Sequence, residues 1–238
     1  AEALGRDLVV ACPMCFKRLR TSRLVLEEKQ VDVPWSIAPE LEVLDLARLL
    51  ASETWLVRVA ERVSVDLSGL RVVCYYGCQV VRSPRITGYE DYENPQHLDR
   101  LVSAVGATSI DWSFKATCCG ASVGIPRRDI GLALVERLLR GARMSGAQAV
   151  VVCCPLCQGN LDLLGAELSR RSSIPGGSPA IPILYYTELL AVAFGLASVR
   201  KGLKSHLVDP APLLDGLSSL HPATSTDRAD SGEGVDHA

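Results

Sequence analysis

Short apolar runs alternate with longer segments of helical periodicity over most of the chain. Apolar runs of about four to eight residues predict buried strands, whereas apolar residues spaced about three or four apart predict amphipathic helices. The expected strands are 7–11, 31–35 (a strand or extended piece), 70–76, 107–112, 148–153 and 181–184. The expected helices are 13–28, 39–65, 96–105, 128–144, 155–170 and 187–197. Strands that alternate with helices are typical of an α/β fold with mostly parallel sheets.

The chain contains an internal repeat. Residues 9–15, Val-Val-Ala-Cys-Pro-Met-Cys, match residues 151–157, Val-Val-Cys-Cys-Pro-Leu-Cys. Val33-Pro34 followed by residues 42–47 likewise matches Ile181-Pro182 followed by residues 188–193. We therefore expect residues 1–65 to be the second half of a first repeat and residues 66–198 to be a complete second repeat. The composition changes after Val199, and residues 205–238 are rich in Ser, Pro, Asp, Gly and Ala. We expect a disordered tail over residues 199–238.

Five of the nine cysteines share one spacing pattern, C-x39-CC-x34-C-x-x-C, formed by Cys78, Cys118, Cys119, Cys154 and Cys157. Soft thiolates bind zinc, copper(I) and iron–sulfur clusters in preference to hard cations. A single zinc ion takes about four ligands, so five thiols with an adjacent pair exceed its need, whereas a cluster of several irons can use them all. Zinc bound by part of the set, or thiols that are merely buried, stay open as alternatives.

Around these cysteines the sequence resembles a known family. Three blocks carry the resemblance: Tyr76-Gly77-Cys78, Cys118-Cys119-Gly120-Ala121 and residues 152–157. The acidic, Asn-Pro-containing loop at residues 88–95 resembles the family as well. They resemble the cysteine-rich (CCG) domain of the heterodisulfide reductase B subunit and its relatives, which include iron–sulfur subunits of lactate and glycolate oxidation complexes. The resemblance covers roughly residues 1–197. It implies two pseudo-repeated CCG modules, the first incomplete, with the cluster site in loops that follow strand ends.

The resemblance also implies a function. Cys78, Cys118, Cys119, Cys154 and Cys157 would hold a noncubane [4Fe–4S] cluster, which passes electrons to a disulfide such as the CoB–CoM heterodisulfide. The expected partners within such a reductase are its flavin-bearing A subunit and its ferredoxin-like C subunit. Two other functions stay open: an electron-transfer subunit of a lactate- or glycolate-type oxidase complex, and a non-catalytic zinc-binding module.

The remaining four cysteines need a separate interpretation. Cys12 and Cys15 correspond to Cys154 and Cys157 by the internal repeat, but no lone cysteine and no adjacent pair precede them here. A zinc ion or a partial cluster at Cys12 and Cys15, completed by another chain, stays open. Cys74 and Cys153 lie inside predicted strands, where a free cysteine behaves as a small apolar residue.

Composition and charge exclude several function classes. The formal net charge is -2, which does not favour nucleic-acid binding, since that depends on neutralising phosphates. The longest apolar run, residues 189–197, is far shorter than the ~20 residues of a membrane span. An odd number of cysteines and no visible signal peptide favour the cytoplasm over a disulfide-bonded secreted protein. Five basic residues flank the cysteine loops, and we expect them to be solvated: Arg82, Arg85, Lys115, Arg127 and Arg128.

Overall fold

A four-stranded parallel sheet lies at the centre of the computed structural model, which describes residues 1–28, 32–34, 40–171 and 180–220. Its strands are β3 (Arg71–Tyr75), β4 (Thr108–Ile110), β5 (Ala149–Val152) and β6 (Ile183–Tyr185). They lie in the order β4-β3-β5-β6, and every neighbouring pair is parallel. The predicted α/β class with parallel sheets is therefore confirmed.

Both faces of this sheet are covered by helices. Side chains alternate between the two faces of a strand, so in β3 Val73 and Tyr75 belong to one apolar core and Val72 and Cys74 to the other. Helices α6 (Arg128–Met144) and α7 (Pro155–Arg171) contribute leucines to the first core, and α5 (His97–Ala104) and α8 (Tyr186–Ala193) contribute leucines to the second. Burial on both faces explains why β3 and β5 are apolar at nearly every position.

A second, two-stranded parallel sheet precedes the central one. Its elements in chain order are β1 (Leu8–Val10), α1 (Pro13–Glu27), β2 (Val43–Asp45) and α2 (Leu46–Leu50). The same strand–helix–strand–helix order occurs in β5, α7, β6 and α8, which agrees with the internal repeat. Phe16, Val43 and Ala47 from this part lie in the same core as Val72 of the central sheet. The boundaries 1–65 and 66–198 stay a prediction.

The prediction of one long helix over residues 39–65 is wrong. The chain instead forms strand β2, helix α2 and helix α3 (Glu53–Glu61). Asp45 ends the strand and begins the helix, because its carboxylate accepts the Arg48 backbone N–H at 3.1 Å as an N-cap. Residues 32–34 carry no strand, and the rest of the piece predicted at 31–35 lies outside the described residues. A 3-10 helix at Glu2–Leu4 precedes β1, and a short helix, α4 (Pro84–Thr87), follows β3.

Residues 199–220 are folded, contrary to the predicted disordered tail. They form α9 (Val199–Leu203) and α10 (Ala211–Leu220), which bury Leu203, Leu214 and Leu217 in the core. The buried Asp162 carboxylate of α7 accepts the backbone N–H groups of residues 207 and 208, at 2.7 and 3.0 Å. The polar composition of this segment hid the contribution of these three leucines, whose burial stabilises it. The rest of the predicted tail, residues 221–238, lies outside the described residues.

The described helices are too short or too polar to span a membrane. Among those that the structure describes, α6 and α7 are the longest, with 17 residues each. Across the described ranges, no helix combines the length and the apolar character that crossing a bilayer requires.

Candidate metal centre

Five cysteine thiols come together at the carboxyl edge of the central sheet. Cys78 follows β3, Cys154 and Cys157 follow β5, and the Cys118–Cys119 pair lies in the loop between β4 and α6. The chain leaves β3 toward β4 on one side and then returns to β5 on the other side. Loops at such a topological switch point diverge and leave a crevice, which is where open α/β sheets bind ligands.

The five thiols lie near one another in two groups. Cys119 Sγ lies 3.6 Å from Cys157 Sγ, and Cys157 also lies close enough to Cys154 to lower its pKa. Cys78 lies close enough to Cys118 and Cys119 for both to raise its pKa. Cys119, Cys154 and Cys157 are buried, whereas Cys78 and Cys118 are half-buried. All five residues named from the sequence therefore meet in one place, and their role as ligands stays a prediction.

Hydrogen bonding within the buried group changes the acidity of its thiols. The interaction with Cys157 lowers the pKa of Cys119 and of Cys154 below the ordinary thiol value. The same two interactions raise the pKa of Cys157. At Cys78, burial raises the pKa to about 11. Thiolates are the form that binds metals, so the lowered pKa of Cys119 and Cys154 favours coordination by these two residues.

Two glycines allow the cysteine loops to approach closely. Gly120 has φ +79°, and a Cβ there would lie 2.7 Å from the Leu134 side chain. Gly77 has φ +69°, and a Cβ there would lie 2.9 Å from Cys157 Sγ. Positive φ strains any residue that has a Cβ, so both turns require glycine. The Gly120 N–H also donates to Cys118 Sγ at 3.3 Å, which orients that thiol.

Lys115 connects the loop of the cysteine pair to the end of β3. Its carbonyl accepts the N–H groups of Tyr76 and Gly77, at 2.9 and 3.1 Å. Its ammonium group lies 3.2 Å from a carboxylate oxygen of Asp99 and 3.2 Å from one of Asp111. Only 3% of Lys115 is exposed, so the expectation of a solvated residue is wrong. Its ammonium group is instead paired with these two carboxylates. The other basic residues are exposed as expected: Arg82, Arg85, Arg127 and Arg128.

Tyr75 and Asn160 belong to the site and were missed in the sequence. The Tyr75 hydroxyl donates to the Thr117 carbonyl at 2.5 Å, and the Asn160 amide donates to the Cys119 carbonyl at 2.8 Å. Helical spacing carried a signal for Asn160, which lies three residues after Cys157 and therefore on the same side of α7. Alternation along β3 placed Tyr75 opposite Cys74, but it could not say which face would hold the site.

Cys12 and Cys15 lie outside the group of five. They sit at the junction of β1 and α1, where the neighbouring Cys12 thiol raises the pKa of the exposed Cys15. The hydroxyl of Tyr185 lies 2.8 Å from the Ala11 carbonyl and 2.7 Å from the Cys153 carbonyl. The first C-x-x-C is therefore packed next to the segment that begins the second. Cys74 and Cys153 are buried in the core, as predicted for these strand residues.

The donors fit an iron–sulfur group by their chemistry. Within the described ranges, no three side chains of His, Cys, Asp or Glu are arranged to hold a metal ion. Cys119 and Cys157 instead hydrogen-bond to each other, with their sulfur atoms 3.6 Å apart. Five soft donors with an adjacent pair exceed the roughly four positions of a zinc ion and suit a cluster of several irons.

Known proteins resemble this chain over most of its length. It is 25% identical over 221 residues to the 8-methylmenaquinol:fumarate reductase membrane anchor subunit of Wolinella succinogenes, covering 90% of this chain and 76% of that protein. It is 25% identical over 237 residues to the B subunit of the ferredoxin:CoB-CoM heterodisulfide reductase of Methanosarcina mazei, covering 94% and 78%. A similar protein from Methanosarcina acetivorans, the B subunit of the ferredoxin/F420H2-dependent CoB-CoM heterodisulfide reductase, is also 25% identical, covering 87% and 72%.

A solved structure supports the fold alone. The crystal structure of a hypothetical protein from Helicobacter pylori superposes with a TM-score of 0.54 at 12% identity, over 79% of this chain and 32% of that one. Residues 72–162, which contain all five clustered cysteines, match the cysteine-rich (CCG) domain family. Residues 72–162 are therefore similar to the cysteine-rich (CCG) domain family, and the chain resembles the B subunits of heterodisulfide reductases over most of its length.

Proposed function

We propose that this chain is the iron–sulfur B subunit of a heterodisulfide reductase-type complex and passes electrons to a disulfide. The observation that carries the proposal is the meeting of five thiols inside the segment that matches the CCG domain. The proposed group is a noncubane [4Fe–4S] cluster, and a substrate of the CoB–CoM class suits it. The proposed partners are the flavin-bearing A subunit and the ferredoxin-like C subunit of such a complex, working in the cytoplasm.

The buried and the half-buried cysteines would hold different sides of the cluster. A bound cluster supplies one-electron transfer, which no side chain of the site provides. Cys119, Cys154 and Cys157 are at most 5% exposed, so they would bind it on the side from which water is excluded. Cys78 and Cys118 are half-buried and would hold it at the open edge, where a sulfur compound can approach. The exposed Arg82 lowers the pKa of Cys78, against the larger effect of burial, and places positive charge at that edge.

Metal and sulfide analysis of anaerobically purified protein tests the proposal. We expect about four irons and about four inorganic sulfides per chain for a [4Fe–4S] cluster. Cys119→Ser should lose most of both. Cys74→Ala is the matched control, because Cys74 is a buried cysteine of β3 outside the group, and it should keep both. Zinc without sulfide in the unsubstituted protein would leave the zinc-binding module as the function.

The first C-x-x-C, Cys12 and Cys15, is proposed as a separate metal site. Cys12 and Cys15 would bind zinc or part of a cluster that another chain completes, since they lie outside the group of five. Cys12→Ser with Cys15→Ser should then lower the zinc or iron content of the complex. The inorganic sulfide held by the main site should stay unchanged, and a parallel loss of that sulfide would contradict two separate sites.

Electron transfer without a disulfide substrate is the second candidate. It is favoured by the relative from Wolinella succinogenes, whose name places it in a fumarate reductase. A lactate- or glycolate-type oxidase complex would use the chain in the same way. Electron paramagnetic resonance separates the two functions: addition of a thiol or disulfide should change the spectrum if sulfur compounds are substrates. An unchanged spectrum would favour simple electron transfer.

A further inference from the structure

A closed ring of contacts joins the segment that carries Cys78 to the segment that carries the cysteine pair. Through the backbone, the Lys115 carbonyl accepts the Tyr76 N–H at 2.9 Å. Through the side chains, the Asp99 carboxylate accepts the Tyr76 hydroxyl at 2.5 Å and lies 3.2 Å from the Lys115 ammonium nitrogen. Tyr76 and Lys115 are therefore held together twice, once directly and once through Asp99.

The Asp99 carboxylate has a third donor that fixes its position. The Ser109 hydroxyl of β4 donates to Asp99 Oδ1 at 2.7 Å. The side chains of Lys115 and Asp99 are only 4% and 13% exposed, so water competes little for these contacts. A hydrogen-bonded polar network that is satisfied inside a protein is rigid. Asp99 of α5 thus connects β4, the end of β3 and the loop of the cysteine pair.

The ring lies close to two of the clustered cysteines along the chain. Cys78 follows Tyr76 by two residues and Cys118 follows Lys115 by three, which is at most about 7 Å and about 11 Å of extended chain. Cys78 and Cys118 are also the half-buried members of the group. Packing holds them less than it holds the three buried cysteines, so their positions depend more on how their segments are tied together.

We propose that Asp99 is a positioning residue of the metal centre: through Tyr76 and Lys115 it sets the separation between Cys78 and the Cys118–Cys119 pair. This inference rests on the proposed function, because it assumes that these cysteines bind one cluster. Residues behind metal ligands orient them, and their loss weakens metal binding and alters the electronic properties of the metal. Asp99 would act in this way from behind the backbone, without contact with a ligand sulfur.

Asp99→Asn tests the proposal in the full chain, purified anaerobically. An asparagine has one acceptor oxygen instead of two and no charge, so it cannot hold both Tyr76 and Lys115. We expect a several-fold loss of iron and sulfide, and in the loaded fraction a changed electron paramagnetic resonance spectrum and midpoint potential.

Asp45→Asn is the matched control, because Asp45 is another buried carboxylate that accepts a tyrosine hydroxyl, that of Tyr89 at 2.8 Å. It should lower the stability toward urea in a similar way but keep the iron content, the spectrum and the potential. Equal losses of iron and sulfide in the two variants would overturn the proposal, because they would show a general effect of destabilisation.

Asp99→Asn combined with Lys115→Met separates positioning from stability, and it decides the question if Asp99→Asn alone fails to fold. Neither charge of the buried pair is then left unpaired, so the stability toward urea should recover relative to Asp99→Asn. The iron content and the spectrum should stay altered, because the side-chain half of the ring is still missing.

The outcomes distinguish this inference from the proposed function. A normal centre in Asp99→Asn, or a centre that recovers together with stability in the double variant, would overturn the positioning role while leaving the cluster in place. Absence of iron and sulfide from the unsubstituted protein would instead overturn the proposed function, and this inference with it.

Discussion

His97 makes the stability of the fold sensitive to acid. Its ring is packed between two tyrosine rings, Tyr76 with centroids 4.6 Å apart and Tyr89 at 4.9 Å. The Tyr89 hydroxyl donates to buried Asp45 at 2.8 Å and lies 3.1 Å from His97 Nε2. A hydroxyl has one hydrogen, so His97 must donate through Nε2–H to the Tyr89 oxygen. Burial, followed by the positive charges of Arg48 and Arg100, lowers the pKa of His97 to about 3.

The magnitude follows from the difference between the folded and unfolded states. Free histidine has a pKa near 6.5, so between that value and about 3 the unfolded chain binds a proton that the folded chain does not. The contribution of neutral His97 is therefore complete above pH 6.5 and is lost as the pH falls toward 3. At about 1.4 kcal/mol for each unit of pKa, the loss is about 2.7 kcal/mol at pH 4.5 and approaches about 5 kcal/mol at lower pH.

Urea unfolding of metal-free protein at pH 7.5 and pH 4.5 tests this with His97→Gln as the reference. Glutamine does not titrate, and its amide can still donate to Tyr89. We expect the free energy of unfolding to fall by about 2.7 kcal/mol more in the unsubstituted protein than in the variant. Burial raises the pKa of Asp45, which acts in the opposite direction but is common to both proteins. Equal losses in the two proteins would refute the buried, neutral histidine.

Three further substitutions test the supports of the site. Gly120→Ala should lower the iron content several-fold, because its Cβ would collide with Leu134 at 2.7 Å in a turn with positive φ; normal content would show that the turn is adaptable. Lys115→Met should cost about 3 kcal/mol in urea unfolding, because it leaves the largely buried carboxylate of Asp99 without its counter-charge. Asp162→Ala removes the acceptor of two backbone N–H groups, which should cost about 1–3 kcal/mol and speed proteolysis near residues 207–208.

The elements with the clearest patterns were predicted well. Helix α6 spans residues 128–144 as predicted, because its apolar positions repeat at the helical period and Gly146 ends it with φ +78°. Strand β5 is apolar at all four positions, which only a strand buried on both faces requires. Placement of Cys78 and Cys154 after strand ends then followed from chain order alone. Parallel strands bring those ends to one edge, so the meeting of the cysteines was predictable in outline.

Tertiary contacts decided the elements that were predicted wrongly. Leu41, Leu44 and Leu46 fit a helical spacing, but residues 43–45 pair with β1, and Asp45 caps the helix that follows. Local periodicity cannot register a pairing partner more than 30 residues away. In the same way, the leucines of α9 and α10 gain their stability from a core built by residues far back in the chain.

Tyr75 and Tyr76 face different cores, and they show where prediction from the sequence stops. Two identical residues stand side by side, and strand alternation requires only that they face opposite sides of the sheet. The face of the site is set by the order β4-β3-β5-β6 and by helices α6 and α7, which bring Cys119 and Cys157 over Tyr75. Exchange of the two helical layers would have placed Tyr76 under the thiols and Tyr75 beside Asp99. The chemistry around the cysteines therefore depends on the topology as much as on the cysteine motif itself.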